Sequence, residues 1–133
     1  MMSAAMMGAT AFQKGLGAIH ALSHPVGAVF NTHHGTTNAV CMPAVLKLNA
    51  PKIRDRFDLA APYIGVEGGF DGFCKFVQGF NDSLGIPRRL SEMGVTDDRM
   101  EDLIEMALQD PSCHGNPVNL TAERVRALFG SCI

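Results

Sequence analysis

The stretch GLGAIHALSHPVGAVFNTHHGTTN, residues 15–38, contains four of the five histidines in this 133-residue chain. His20 and His24 are four residues apart, so on a helix they lie on one face. The segment after His24 can turn the chain back and bring His34 toward His20 from the start of the next helix. Neutral imidazole is a common ligand of Zn²⁺ and Fe²⁺, so the spacing favours a metal site. The alternative, open from the spacing alone, is a set of surface or hydrogen-bonded core histidines.

Composition and charge indicate one globular domain over residues 1–133. The chain is 47% hydrophobic and 18% charged, and its net charge is −2. This charge gives no electrostatic reason to expect binding to nucleic acid or to an anionic membrane. The four cysteines form no CxxC pair and no short disulfide-framework spacing, which predicts reduced thiols in an intracellular protein.

The N-terminal segment MMSAAMMGATAF is apolar like the core of a signal peptide, but it has no basic residues before it. No apolar run reaches the ~18 residues that a membrane span requires. The sequence therefore predicts a soluble, cytoplasmic protein with no membrane partner.

Helix formers and apolar residues at helical spacing dominate the chain, and strand patterns are almost missing, so we predict an all-α domain. Pro25 is expected to stop the first helix and Pro43 to kink the second. Thr96 and Thr121 are expected to cap the last two. The predicted helices run from about Ala4 to Leu22, from His34 or Gly35 to about Leu48, and then over residues 50–65, 70–85, 97–110 and 122–129.

Residues 15–49 match a longer pattern: H-x-x-x-H-x-x-G, then H-G, N-A, a helix with a central proline and a closing asparagine. With this pattern the chain resembles the iron-containing (group III) alcohol dehydrogenases, and further similar segments follow at 85–95, 102–110 and 115–121. The resemblance implies an all-α helical bundle like the C-terminal domain of that family, a dehydroquinate synthase-like helical domain. The matching residues are His20, His24, Gly27, His34, Gly35, Asn38, Ala39, Pro43 and Asn49.

The resemblance also implies a chemistry. Family members hold Fe²⁺, or Zn²⁺, with one aspartate and three histidines, use NAD(P), and act on a small alcohol or aldehyde. His20 and His34 match two of the metal ligands. His24 matches a histidine beside the metal and the nicotinamide that is thought to assist proton transfer.

Only the C-terminal helical part of the family is matched, without the dinucleotide-binding domain and the D-x-x-x-H helix. Asp110 and His114 have that spacing, but they come late and Pro111 interrupts them, so we interpret the spacing as chance. His33 stands where the family often has proline; it is either a surrogate ligand or, as is commoner, an exposed side chain. Because catalytic sites need three or more protein ligands, we expect the chain alone to hold metal weakly or not at all and to be inactive.

Other residues allow a different function, a non-enzymatic helical module that associates with itself or with a partner. The first predicted helix has apolar residues that need a cover, and these predict a homo-oligomer. Cys113 is expected to be a buried thiol, and Asn116 and Pro117 a turn that leads into a helix. The apolar residues of the first helix are Met2, Met6, Met7, Phe12, Leu16 and Ile19.

Overall fold

The computed structural model describes all residues, 1–133, and is built from six α-helices without a strand, which confirms the predicted all-α class. Four short 3₁₀ helices lie at Ala61–Ile64, Leu90–Met93, Asp97–Arg99 and Pro111–Gly115. The α-helices are α1 Met2–Phe12, α2 Ala18–Phe30, α3 His34–Ala60, α4 Gly69–Ser83, α5 Met100–Gln109 and α6 Ala122–Cys132.

The prediction of a single first helix, from about Ala4 to Leu22 with a stop at Pro25, was wrong in two respects. The chain breaks before Ala18, where Gly15 has a φ of +93° that L residues rarely adopt. Helix α2 then continues through Pro25 to Phe30. The proline ring is fully buried, so its packing offsets the hydrogen bond that the missing N–H cannot make.

Helix α3 joins two predicted helices into one of 27 residues, with Pro43 and Pro51 inside it. Pro43 has no N–H for the carbonyl of Ala39, four residues earlier. The side chain of Asn81 in α4 donates to that carbonyl at 3.0 Å. A contact with another helix therefore restores what the proline removes, and α3 does not end there.

The main core surrounds α2, whose residues Ala21, Leu22 and Val26 are fully buried. Helix α2 packs against α3 and α5, and α6 packs against α3 and α5. A smaller apolar cluster lies between α3 and α4, around Phe70. Helix α2 is therefore held on several sides, which fixes the positions of the histidines that it carries.

The last predicted helices are close to the observed ones. The Thr121 hydroxyl accepts a hydrogen bond from the backbone N–H of Arg124 at 3.3 Å, which confirms this cap, and α6 continues to Cys132. The cap predicted at Thr96 does not form, since its side chain accepts no backbone hydrogen bond, and a 3₁₀ turn separates Thr96 from the start of α5.

Helix α1 lies outside the core and has no buried residue. The exposed fractions of Met2, Met6, Met7 and Phe12 lie between 56% and 89%. None of the helices combines the length and the apolar character that crossing a membrane would take.

Candidate functional site

Three imidazoles meet where the start of α2 approaches the start of α3. The ring centroids of His20 and His34 are 5.2 Å apart. The ring of His24 lies 5.6 Å from that of His20 and 5.4 Å from that of His34, and it stacks on the latter with an interplanar angle of 17°. The connection between α2 and α3 thus turns back and brings His34 to the histidines of α2.

The Nε2 atoms of His20 and His34 converge on one amide. The Nδ2 atom of Asn38 lies 3.4 Å from Nε2 of His20 and 3.1 Å from Nε2 of His34. In this orientation of the Asn38 amide its NH₂ group donates, and each Nε2 is then the acceptor. The Oδ1 atom of Asn38 is buried and has no hydrogen-bond partner.

His24 is paired with a residue that the sequence did not identify. Its Nδ1 lies 2.7 Å from Oδ2 of Asp110, which is 86 residues away along the chain. Of the two residues whose spacing we interpret as chance, His114 is exposed in the turn that follows Asp110. That interpretation overlooked Asp110 itself, because nothing local in the sequence shows that Asp110 contacts α2.

The electrostatics of the cluster favour a neutral His20 and an ionised Asp110. Burial, and then the charges of the neighbouring imidazoles, lower the pKa of His20. Burial alone would raise the pKa of Asp110, but hydrogen bonds from His24 and Ser112 outweigh it and hold that pKa below its usual range. A neutral imidazole is the form that binds a metal.

His33 makes its hydrogen bonds outside this cluster. It is the N-cap of α3, and its Nδ1 accepts from the backbone N–H of Thr36 at 3.3 Å. The side chain is exposed, in line with the second of the two alternatives. No group of three or more His, Cys, Asp or Glu side chains is arranged to hold a metal ion. Cys113 is buried, as expected, and burial raises its pKa.

The start of α2, and with it His20, is fixed by a pair of asparagines. Asn116 Oδ1 accepts from the backbone N–H of Ala18 at 3.1 Å. The amides of Asn116 and Asn49 exchange two hydrogen bonds, of 2.9 and 2.8 Å. Asn49 belongs to α3, so this pair connects α2, α3 and the loop before α6. The turn predicted around Asn116 is thus also a link between helices.

Comparison with known proteins identifies the relatives of this arrangement. The profile described as "Fe-containing alcohol dehydrogenase family, C-terminal" matches residues 1–133. A 4-hydroxybutyrate dehydrogenase of Cupriavidus necator is 42% identical over 97% of this chain and 36% of its own length. An NAD-dependent methanol dehydrogenase of Bacillus methanolicus is 30% identical over 96% of this chain and 35% of its own length.

The fold has similar solved structures. A crystal structure of 1,3-propanediol oxidoreductase superposes with a TM-score of 0.83 at 26% sequence identity, over 89% of this chain and 33% of that one. The chain thus spans about a third of the length of the relatives it matches. It belongs to the iron-containing alcohol dehydrogenase family and corresponds to the all-helical C-terminal part of that family.

Proposed function

We propose that residues 1–133 form one helical domain that contributes metal ligands and a proton-transfer group to a metal- and NAD(P)-dependent alcohol dehydrogenase. His20 and His34 are the ligands, and His24 is the proton-transfer group. The observation that carries this proposal is the convergence of the two Nε2 atoms on one Asn38 amide nitrogen. Two imidazole nitrogens gathered around one position are a starting point for a shared cation site.

The residues present fit a cation such as Fe²⁺ or Zn²⁺. Imidazole nitrogen suits both ions. The buried Oδ1 of Asn38 has no partner, and a buried polar atom without a hydrogen bond costs about 1–3 kcal/mol. Such an atom beside the two Nε2 atoms supports a polar ligand site. A bound Fe²⁺ or Zn²⁺ would supply Lewis-acid polarisation of the oxygen of a small alcohol or aldehyde, and NAD(P) would supply the hydride donor or acceptor.

His24 suits proton transfer because its two nitrogens differ. Nδ1 is held by Asp110, whereas Nε2 makes no hydrogen bond within the chain. Its side chain is 42% exposed, so an incoming hydroxyl can reach it. A general base must lie within hydrogen-bond reach of the proton it accepts, and the ring lies beside both proposed ligands.

Two imidazoles do not complete a catalytic metal site, which needs three or more protein ligands. We therefore expect the 133-residue chain to bind metal weakly. Formation of reduced cofactor from simple alcohols with added Fe²⁺ or Zn²⁺ should stay at background. We also propose a cytoplasmic location, which the four free thiols support.

The test is paramagnetic broadening of the histidine ring signals by millimolar Co²⁺, which detects weak binding. We expect broadening at His20 and His34 and none at His33 or His114. The His20→Ala variant should remove the effect at His34, whereas the matched control His33→Ala should leave it unchanged. Broadening that is absent, or confined to His33 and His114, would contradict the proposed ligands.

A second candidate function, self-association, is favoured by a separate observation. Helix α1 has no buried residue and exposes its methionines and Phe12. Covering apolar surface contributes roughly 25 cal/mol per Å². We propose a homo-oligomer in which α1 provides the contact.

A further inference from the structure

We infer that Asp110 is a positioning residue that keeps the proton of His24 on Nδ1 and so leaves Nε2 as the proton-accepting atom. The inference rests on the proposed function of His24. It gives a role to a carboxylate that lies in neither of the histidine-bearing helices.

Both oxygens of Asp110 are held by donors on opposite sides. Oδ1 accepts from the backbone N–H of Ser112 at 2.8 Å, and Oδ2 lies 2.7 Å from Nδ1 of His24. The side chain is only 13% exposed. Pro111 follows and restricts the backbone of Asp110 to extended conformations, and ψ is 130°. Two hydrogen bonds, one on each oxygen, therefore restrain the carboxylate.

An ionised carboxylate can only accept hydrogen bonds, so Nδ1 of His24 must donate. A neutral imidazole carries one proton, and with that proton on Nδ1 the lone pair is on Nε2. An imidazole without such a partner can carry its proton on either nitrogen. Asp110 therefore selects the tautomer in which the partly exposed ring offers a lone pair to an incoming hydroxyl.

The rings on the other side of His24 limit its rotation. It stacks on His34 at 5.4 Å and meets His20 edge-on at 5.6 Å. Asp110 thus fixes both the orientation of the ring and the position of its proton. A residue of this kind acts through His24 and needs no contact with substrate, as the carboxylate does in a Ser–His–Asp triad.

One nearly isosteric substitution separates this role from a merely structural one. In Asp110→Asn, the amide oxygen continues to accept the hydrogen bond from the Ser112 N–H. The NH₂ group of the amide then takes the place of Oδ2 and faces His24. That group donates, so Nδ1 becomes the acceptor and the proton moves to Nε2. The same replacement in a Ser–His–Asp triad leaves the geometry intact and produces the wrong tautomer.

The experiment records long-range ¹H–¹⁵N spectra of the histidine rings in the metal-free 133-residue chain, at about pH 8, well above the ordinary pKa of imidazole. Wild-type His24 should show its proton on Nδ1, and Asp110→Asn should show it on Nε2. The matched control is Asp82→Asn, which removes an exposed carboxylate paired with Arg88 and should leave His24 as in the wild type. An unchanged backbone spectrum verifies the fold of each variant.

The inference is overturned if wild-type His24 carries its proton on Nε2 or divides it between both nitrogens. It is also overturned if a folded Asp110→Asn protein keeps the Nδ1 proton. If Asp110→Asn does not fold, the wild-type spectrum alone decides. Co²⁺ broadening at His20 and His34 is a separate readout. If broadening is absent while His24 carries its proton on Nδ1, the proposed function alone is contradicted. If broadening is present while His24 does not carry its proton on Nδ1, this inference alone is contradicted.

Discussion

Truncation of Asn116 to alanine tests whether the start of α2 is anchored as described. The Asn116 side chain makes four hydrogen bonds: one from the Ala18 N–H, two with the Asn49 amide and one to the Val118 carbonyl. Ala18 is 1% exposed and Asn49 is 6% exposed. Removal of the side chain leaves the Ala18 N–H and the Asn49 amide without these hydrogen-bond partners.

The expected loss of stability follows from the groups left without partners. A buried donor or acceptor that loses its partner costs about 1–3 kcal/mol. The Ala18 N–H and the Asn49 amide together therefore give about 2–6 kcal/mol for Asn116→Ala. Val118 is partly exposed, so we count no cost for its carbonyl. The double variant Asn49→Ala, Asn116→Ala should cost less than the sum of the single variants, because the unpaired amide is then gone.

Urea unfolding followed by far-UV circular dichroism measures these free energies. The matched control is Asn119→Ala, an exposed asparagine in the same loop whose side chain makes no hydrogen bond, with an expected change within about 0.5 kcal/mol. A cost below about 1 kcal/mol for Asn116→Ala, or strict additivity in the double variant, would refute the anchoring role.

Three further predictions test other parts of the structure. In Gly115→Ala the new Cβ would collide with the backbone oxygen of Leu16, so unfolding experiments should show a loss of stability of about 2 kcal/mol or more. The control Gly130→Ala meets open space in α6 and should gain up to about 1 kcal/mol; equal stabilities of the two variants would contradict the packing. Burial and the neighbouring imidazoles lower the pKa of His20, so the folded state binds the His20 proton less readily than the unfolded state. The free energy of unfolding should therefore decrease as the pH falls through 6.5, the ordinary pKa of histidine. A pH series on His20→Gln should show a smaller decrease, and a decrease equal to that of the wild type would contradict the lowered pKa of His20. The variant Met6→Asp, Met7→Asp should have a lower hydrodynamic mass than the wild type at micromolar concentration, and a monomeric wild type would end the self-association proposal.

Most of the helix content could be predicted because it depends on local spacing. Apolar residues at helical intervals located α4, α5 and α6 within a few residues, and Thr121 marked the start of α6. The four-residue interval between His20 and His24 fixed their common face on any helix that contains them. These features need only neighbours in sequence, so no knowledge of the rest of the fold was required.

The continuation of α2 through Pro25 could not be predicted in the same way. By local rules Pro25 stops a helix, and Pro43 kinks the helix that contains it. Pro25 is buried in the core, and the carbonyl that Pro43 leaves free accepts a hydrogen bond from Asn81 of another helix. The compensation comes from residues distant in sequence, and a local pattern does not contain it.

For the candidate site, the sequence by itself determined which imidazoles are available and, through the family pattern, which of them to compare with metal ligands. Only the tertiary structure decided that His20 and His34 direct Nε2 at the same amide, that Asp110 holds His24, and that Asn116 anchors α2 to α3. Hydrogen bonds act over about 3 Å in space and are independent of separation along the chain. Partners that are 86 or 98 residues apart therefore become visible only once the chain is folded.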